Sequence, residues 1–235
     1  MNTAQNEHTA TQTPRVTTAI IFAGGDEAPR IARTDLPEAT WIIAADSGLD
    51  HALRIGMTPH FLVGDLDSIS KDALAFAQAS EMKSDIASTD KDLTDTEMAL
   101  AHAVRLGSTR VIVVSAGGGR LDHAHGLLTA LFNPAWHAVQ MEAIIDLAHV
   151  HVVHGPGSVT LNATPSDLIG IHAMNGIAFD IRTNGLRWTL DGEDLSPWVS
   201  RGVSNEFSGT QATISLQRGS LMIVQPLFYS PPKGD

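Results

Sequence analysis

The chain has 235 residues, 43% of them hydrophobic and 17% charged, with a formal net charge of −11 and no cysteine. This is a globular mixture, long enough for one large domain or two small ones around a substantial core. The acidic balance argues against non-specific binding to nucleic acid or anionic lipid, the missing thiols exclude disulfides and thiolate metal sites, and no apolar run reaches the roughly 18 residues of a membrane span, so a soluble cytoplasmic protein is expected.

Residues 1–15, MNTAQNEHTATQTPR, lack the basic start and apolar stretch of a secretory signal and read as a polar tail. From 16 to 154 the texture alternates. VTTAIIFAGG (16–25), WIIAAD (41–46), FLVGD (61–65) and RVIVVSAGGG (110–119) are short apolar, β-branched runs ending in Gly or Asp, and MEAII (141–145) and HVHVVHG (149–155) read as further strands. Helical patterns over 47–55, 70–80, 94–106 and 121–132 lie between them. Apolar strands alternating with helices indicate a parallel sheet covered on both faces, with its ligand crevice beyond the carboxyl ends of the strands. Asp46, Asp65, Asp67 and the glycines at 117–119 all fall at such ends. From 155 onward the runs are short strands, SVTLNA, LIGIHA, IAFDIRTNGLRWTL, QATISLQ and SLMIVQP, separated by turn signals such as TNG and RGS. The expectation is an α/β domain over 16–154 followed by an antiparallel β-sandwich or barrel over 155–235.

The segment STDKDLTDTEMAL (88–100) gathers Asp90, Asp92, Asp95 and Glu97 against the single cation Lys91. Like charges this close repel. Part of the run is a helix start: Thr94 caps, Glu97 reaches back and Asp95 favours the positive helix end. Asp90 and Asp92, together with Asp65 and Asp67 in GDLDS (64–68), are left over from that reading. Two acidic loops at the mouth of one sheet face each other, and an all-oxygen donor set suits Mg²⁺, a cation that usually shares its ligands with substrate phosphates. SAGGGRLDHAHG (115–126) is complementary: a strand runs into three glycines and a helix start, and Arg120 adds a planar donor fork for phosphate oxygens. It is neither a Walker A loop nor a dinucleotide fingerprint. His149, His151 and His154 suggest zinc, but alternation puts His154 on the opposite face from the other two, and the segment reads as an exposed edge strand. Trp188, beside a glycine turn, reads as either core or a ligand platform.

In order and spacing, AADSG (44–48), GDLDSI (64–69), TDKDLTDTEMAL (89–100), GGGRLDH (117–123), NGLRWTL (184–190), VSN (203–205) and ISLQRGSLMIV (214–224) resemble the signature segments of thiamine pyrophosphokinases. The resemblance implies a Rossmann-like α/β nucleotide domain followed by a β-sandwich. It implies transfer of the β,γ-pyrophosphoryl group of ATP to the hydroxyethyl oxygen of thiamine, with release of AMP. Asp65, Asp67 and Asp92 would then be the Mg²⁺ ligands and, with Asp95, the catalytic carboxylates. Asp46, Ser68, Asp90, Lys91, Thr94, Gly118, Gly119, Arg120, Asp122 and His123 would contact ATP. Trp188, Ser204 and Asn205 would hold thiamine, in a pocket completed by the partner chain of a homodimer. Which carboxylate takes the hydroxyl proton stays open. The chain departs from the family pattern at Leu127, where Asn is usual, and at Ser47 of the Asp46-Ser47-Gly48 segment, where Gly is usual. The alternatives are a related pyrophosphokinase acting on a pterin alcohol and a non-catalytic nucleotide-binding protein of the same fold.

Overall fold

The computed structural model describes residues 16–25, 28–86, 92–117 and 120–227. Six strands run parallel: β1 (Thr18–Phe22), β2 (Trp41–Ala45), β3 (Phe61–Gly64), β4 (Lys83–Ile86), β5 (Arg110–Ser115) and β6 (Gln140–Ile145), in the spatial order β4-β3-β2-β1-β5-β6. Successive residues along each strand go to opposite faces, so an apolar run supplies two cores. Ala19, Ile21, Ile43, Val63, Val111 and Val113 face the helices α3 (Asp95–Arg105) and α4 (Leu121–Leu131). Ile20, Phe22, Ala44, Leu62, Ile112 and Val114 lie in the cores that take in α1 (Gly48–Arg54) and α2 (Lys71–Ala79). This is the twice-covered parallel sheet that the apolar strands predict. Strand β4, KSDI, has no apolar run to announce it; it closes the parallel edge with exposed polar side chains, a common way to blunt an edge.

Beyond β6 the pairing turns antiparallel. β7 (Ala148–His154) pairs with β6 on one side and with β13 (Arg218–Pro226) on the other, followed by β9 (Leu168–Asn184), β12 (Gln211–Leu216) and β8 (Gly157–Asn162). β10 (Asp191–Leu195) and β11 (Asn205–Glu206) pair with β9 off this path. The segment HVHVVH is therefore hydrogen-bonded on both sides, a correction to its reading as an exposed edge strand; its second partner, β13, is remote in sequence and invisible to local pattern. LIGIHA and IAFDIRTN, expected as separate strands, are one strand that bends where Asn175 (φ 59°) and Gly176 (φ 138°) enter the left-handed region. Its first half pairs with β13 and β11, its second with β10 and β12. Both halves contribute to one core, Ile169, Ile171, Ala178 and Ile181 packing with Leu161, Phe207, Ile214, Leu221 and Ile223. The result is a mixed sheet, parallel then antiparallel. No helix among the described residues is long and apolar enough to cross a membrane.

Candidate active site

The carboxyl ends of β2 and β3 bring three acids together. Asp46 follows β2 with a left-handed backbone (φ 49°) and is buried, at 8% exposure. Asp65 and Asp67 follow β3, with Leu66 between them also left-handed (φ 68°). A carboxylate oxygen from each of Asp46, Asp65 and Asp67 lies within 4.8 Å of the others. The Asp67 N–H donates to Asp65 Oδ1 at 3.4 Å, and the Ser68 hydroxyl donates to Asp46 Oδ2. Asp46 Oδ1 is buried without a hydrogen-bond partner. Burial pushes the Asp46 carboxyl up from its ordinary 3.8; the Ser68 hydrogen bond works against that, and the charges of Asp95, Asp67 and Asp65 add to the rise.

Asp95 reaches the same place from α3. The helix start is held by the capping box expected at Thr94: the Glu97 N–H donates to Thr94 Oγ1 at 3.2 Å, and the Thr94 N–H to Glu97 Oε2 at 3.1 Å. That fixes Asp95 over the end of β3. A Cβ on Gly64 would lie 2.8 Å from Asp95 Oδ1 and 3.3 Å from Asp46 Cβ, so only glycine lets both acids close over the strand. Asp92 is exposed in the bend before α3 and lies outside the trio. Asp90 and Lys91 fall outside the described residues, as do Gly118 and Gly119.

The neighbouring turn explains one departure from the family pattern. The Gly25 N–H donates to the Ser47 hydroxyl at 3.4 Å, so serine ties the β2 turn to the loop after β1. Gly48 admits no substitution there, because a Cβ would sit 1.9 Å from the Phe22 carbonyl oxygen. The other departure is equally local. Leu127 is buried on the face of α4 that packs against the sheet, so its side chain serves the core. Arg120, at the start of α4, is exposed and pairs with Asp122 through Nε–Oδ1 (3.2 Å) and Nη2–Oδ2 (2.6 Å). That hydrogen bond holds the Asp122 carboxyl below its ordinary range. His123, on the next turn position, is exposed.

The proposed acceptor residues gather in the β region. Trp188 is 52% exposed, which excludes the core reading. The Arg187 guanidinium lies over its ring at 4.6 Å, so this face already accepts a cation. Buried Asn205 clamps the Trp188 backbone, accepting its N–H at 3.1 Å and donating to its carbonyl at 2.7 Å. Ser204, next to Asn205, is exposed and left-handed (φ 59°). By its motif Asp46 stands behind Asp65 and Asp67 as a ligand; its burial depends on how β2 and β3 meet, which no local signal carries. No local signal marks Asp50 either, whose carboxylate accepts from the hydroxyl of Ser70, the cap of α2, and from the Ser70 N–H at 3.1 Å. That contact braces the far side of the 65–70 loop.

A family model for the thiamin pyrophosphokinase catalytic domain matches residues 33–145, and one for the thiamin pyrophosphokinase vitamin B1 binding domain matches residues 158–221. The chain is 23% identical over 210 residues to a thiamine pyrophosphokinase of Bacillus subtilis, covering 87% of this chain and 96% of that protein. It is 27% identical over 185 residues to thiamine pyrophosphokinase 2 of Arabidopsis thaliana, covering 74% of this chain and 64% of that one. Among solved structures, the Bacillus subtilis thiamine pyrophosphokinase superposes with a TM-score of 0.79 at 22% identity, over 91% of this chain and all of that one. The yeast thiamin pyrophosphokinase superposes at 0.70 with 14% identity, over 92% and 88% of the two chains, a likeness of fold. Together the two family models span most of the described sheet, from the turn before β2 into β13, and the chain belongs to the thiamin pyrophosphokinase family.

Proposed function

We propose that the chain is a thiamine pyrophosphokinase that forms thiamine diphosphate and AMP from thiamine and ATP, using Mg²⁺. The observation that carries this reading is the orphaned Asp46 Oδ1, buried within 4.8 Å of two further carboxylates at the mouth of a parallel sheet. A buried acceptor without a donor, among like charges, is costly unless a cation completes it. All donors are hard oxygens, which fits Mg²⁺.

In the reaction the thiamine hydroxyl oxygen bonds to the β-phosphorus and gives up its proton to a site carboxylate or to solvent, the bond from that phosphorus to the α,β-bridging oxygen breaks, and AMP leaves with the bridging oxygen. Mg²⁺, when bound, supplies charge neutralisation along the phosphate chain. Asp46, Asp65 and Asp67 would hold it, Ser68 fixing one oxygen of Asp46 so that the other points at the site. Asp92 is a further ligand by family resemblance, and Asp95 orients from the capped start of α3. Arg120 exchanges Asp122 for a phosphate oxygen, with Asp122 and His123 shaping that turn. Asp90, Lys91, Thr94, Gly118 and Gly119 complete the ATP contacts on the same basis. Asn205 positions Trp188, whose ring face takes a cationic ring of thiamine in place of the Arg187 guanidinium, and Ser204 and Asn205 are further thiamine contacts by family resemblance. The nucleotide unit spans 16–154 with a Rossmann-like arrangement, the acceptor unit 155–235 is a β-sandwich, and the enzyme works in the cytoplasm.

A homodimer with shared sites suits this arrangement. The nucleotide residues all precede 126, while Trp188 belongs to the β region and projects half into solvent, as do Val199 and Val203. Purified protein should yield thiamine diphosphate and AMP in equal amounts, only with a divalent cation; ADP as product would overturn the reading. Refolding Asp65→Asn and Trp188→Ala chains together should restore about a quarter of wild-type activity per chain if sites are shared, and none if each chain holds a whole site.

A further inference from the structure

A second cluster of ligand atoms lies away from the carboxylate site, across the junction of the parallel and antiparallel halves. The register of β6 against β7 puts Glu142 directly opposite His151, and His149 follows on the same face. The His149 and His151 rings stack at 4.0 Å between centroids. Glu142 Oε2 lies 2.8 Å from His149 Nε2 and 3.9 Å from His151 Nδ1, and one donor atom from each of the three residues lies within 4.8 Å of the others. Metal–ligand bonds of about 2.0–2.1 Å in a tetrahedral site set ligand atoms about 3.3 Å apart, so these atoms bracket the spacing an ion requires.

The surroundings orient the donors as an outer shell does. Gln225 Nε2 donates to the Asn162 carbonyl at 3.3 Å, which turns Gln225 Oε1 toward His151 Nε2 at 3.0 Å. An amide oxygen only accepts, so His151 Nε2 carries the hydrogen. The other ring nitrogen, Nδ1, faces Glu142 Oε2 at 3.9 Å. Arg110 holds Glu142 from the other side through Nε–Oε1 (2.7 Å) and Nη2–Oε2 (3.0 Å), and Gln140 donates to Oε1 at 2.7 Å. An open cleft of about 430 Å³, lined in part by Gln140, Glu142, His151, His154 and Thr160, gives an entry path from solvent.

We propose that Glu142, His149 and His151 form a second metal site for a first-row transition ion of borderline softness, Zn²⁺ above all, distinct from the Mg²⁺ carboxylates. Two imidazole nitrogens and one carboxylate suit that class and are poor ligands for Mg²⁺, the ion taking the place of the hydrogen that His149 Nε2 shares with Glu142 in the metal-free chain and releasing it to solvent. Three protein donors beside a cleft leave one position open to water or a small anion.

The test uses the full chain stripped of metal, titrated with Zn²⁺ in competition with a chromophoric chelator and with Co²⁺ for its visible ligand-field absorption, both in excess Mg²⁺. One equivalent of Zn²⁺ should bind, and Co²⁺ should give the intense absorption of a four-coordinate nitrogen-containing site. His149→Asn should abolish the Co²⁺ signal, and Gln225→Leu, which frees the His151 ring, should weaken Zn²⁺ binding roughly 10- to 100-fold. Asp67→Asn should leave both unchanged. His149 is partly exposed and is the substitution least able to disturb folding, which circular dichroism and a melting curve check. No saturable Zn²⁺ binding, binding that survives His149→Asn, or binding lost in Asp67→Asn or displaced by Mg²⁺ would overturn the proposal.

Discussion

The two acidic clusters of this chain solve opposite electrostatic problems. At Asp46, Asp65 and Asp67 three carboxylates meet with a serine hydroxyl and a backbone N–H as donors, and a buried oxygen is left over. At Glu142 a single carboxylate, 2% exposed, is surrounded by Arg110, Gln140 and His149, each donating to it. Burial pushes both acids up. At Asp46 the neighbouring charges push the same way, whereas at Glu142 the hydrogen bonds from His149 and Arg110 reverse the effect and hold the carboxyl down at about 2. The first cluster leaves like charge uncompensated, which the proposed Mg²⁺ would relieve. The second carries its own cation, Arg110, and offers imidazole nitrogens beside it.

The largest effect expected is on activity. Asp65→Asn and Asp67→Asn should each lower kcat about a hundredfold or more while leaving the melting temperature near that of the wild type, because in the proposed mechanism these acids serve the transferred group and not the core. Steady-state kinetics with thermal melts decide it; a variant that keeps its rate removes its acid from the site. Arg110→Met acts on the other cluster and should do the reverse. It leaves Glu142 buried with only His149 and Gln140, and should cost about 2–3 kcal/mol of stability, toward the lower side for broken buried pairs because Arg110 keeps some water contact. Denaturant unfolding measures this.

A smaller effect carries the sharper sign. The folded state holds the Asp46 proton more tightly than the unfolded chain, so this group's contribution falls as pH rises through the window above 3.8. In divalent-free buffer at neutral pH, Asp46→Asn should therefore be more stable than wild type, by about 1 kcal/mol, although inactive. The gain should vanish below the ordinary carboxylate value. Glu142 behaves oppositely: its contribution is present above its ordinary 4.5 and is lost as pH falls toward about 2, so Glu142→Gln should destabilise at neutral pH. Melting curves of both variants across pH would break the comparison if the two shifts shared a sign. The smallest effect belongs to Glu97→Gln, which should weaken the α3 cap by about 0.5–1 kcal/mol with kcat within a few-fold of wild type. A loss of activity as large as that of Asp65→Asn would move Glu97 from the cap into the site.

Local sequence determined the strands β1, β2, β3, β5 and β6, the four helices and the capping box at Thr94, because apolar period, helix-start chemistry and turn residues all act within a few positions. It also placed Asp46, Asp65 and Asp67 at strand ends, and the ordered motifs pointed to the family. Tertiary structure alone decided what surrounds them. Asp46 is buried because β2 and β3 are neighbours and Asp95 closes over Gly64. HVHVVH gains a third ligand atom because β6 pairs with β7 in a register that sets Glu142 opposite His151, and it is covered because β13, from the far end of the chain, pairs along its other side. LIGIHA and IAFDIRTN join because the bend at Asn175 and Gly176 keeps both halves in sheets with different partners. Pairing and register are long-range choices, made by hydrogen bonds and buried area summed over whole strands, and the residues within any one strand carry no record of which partner will supply them.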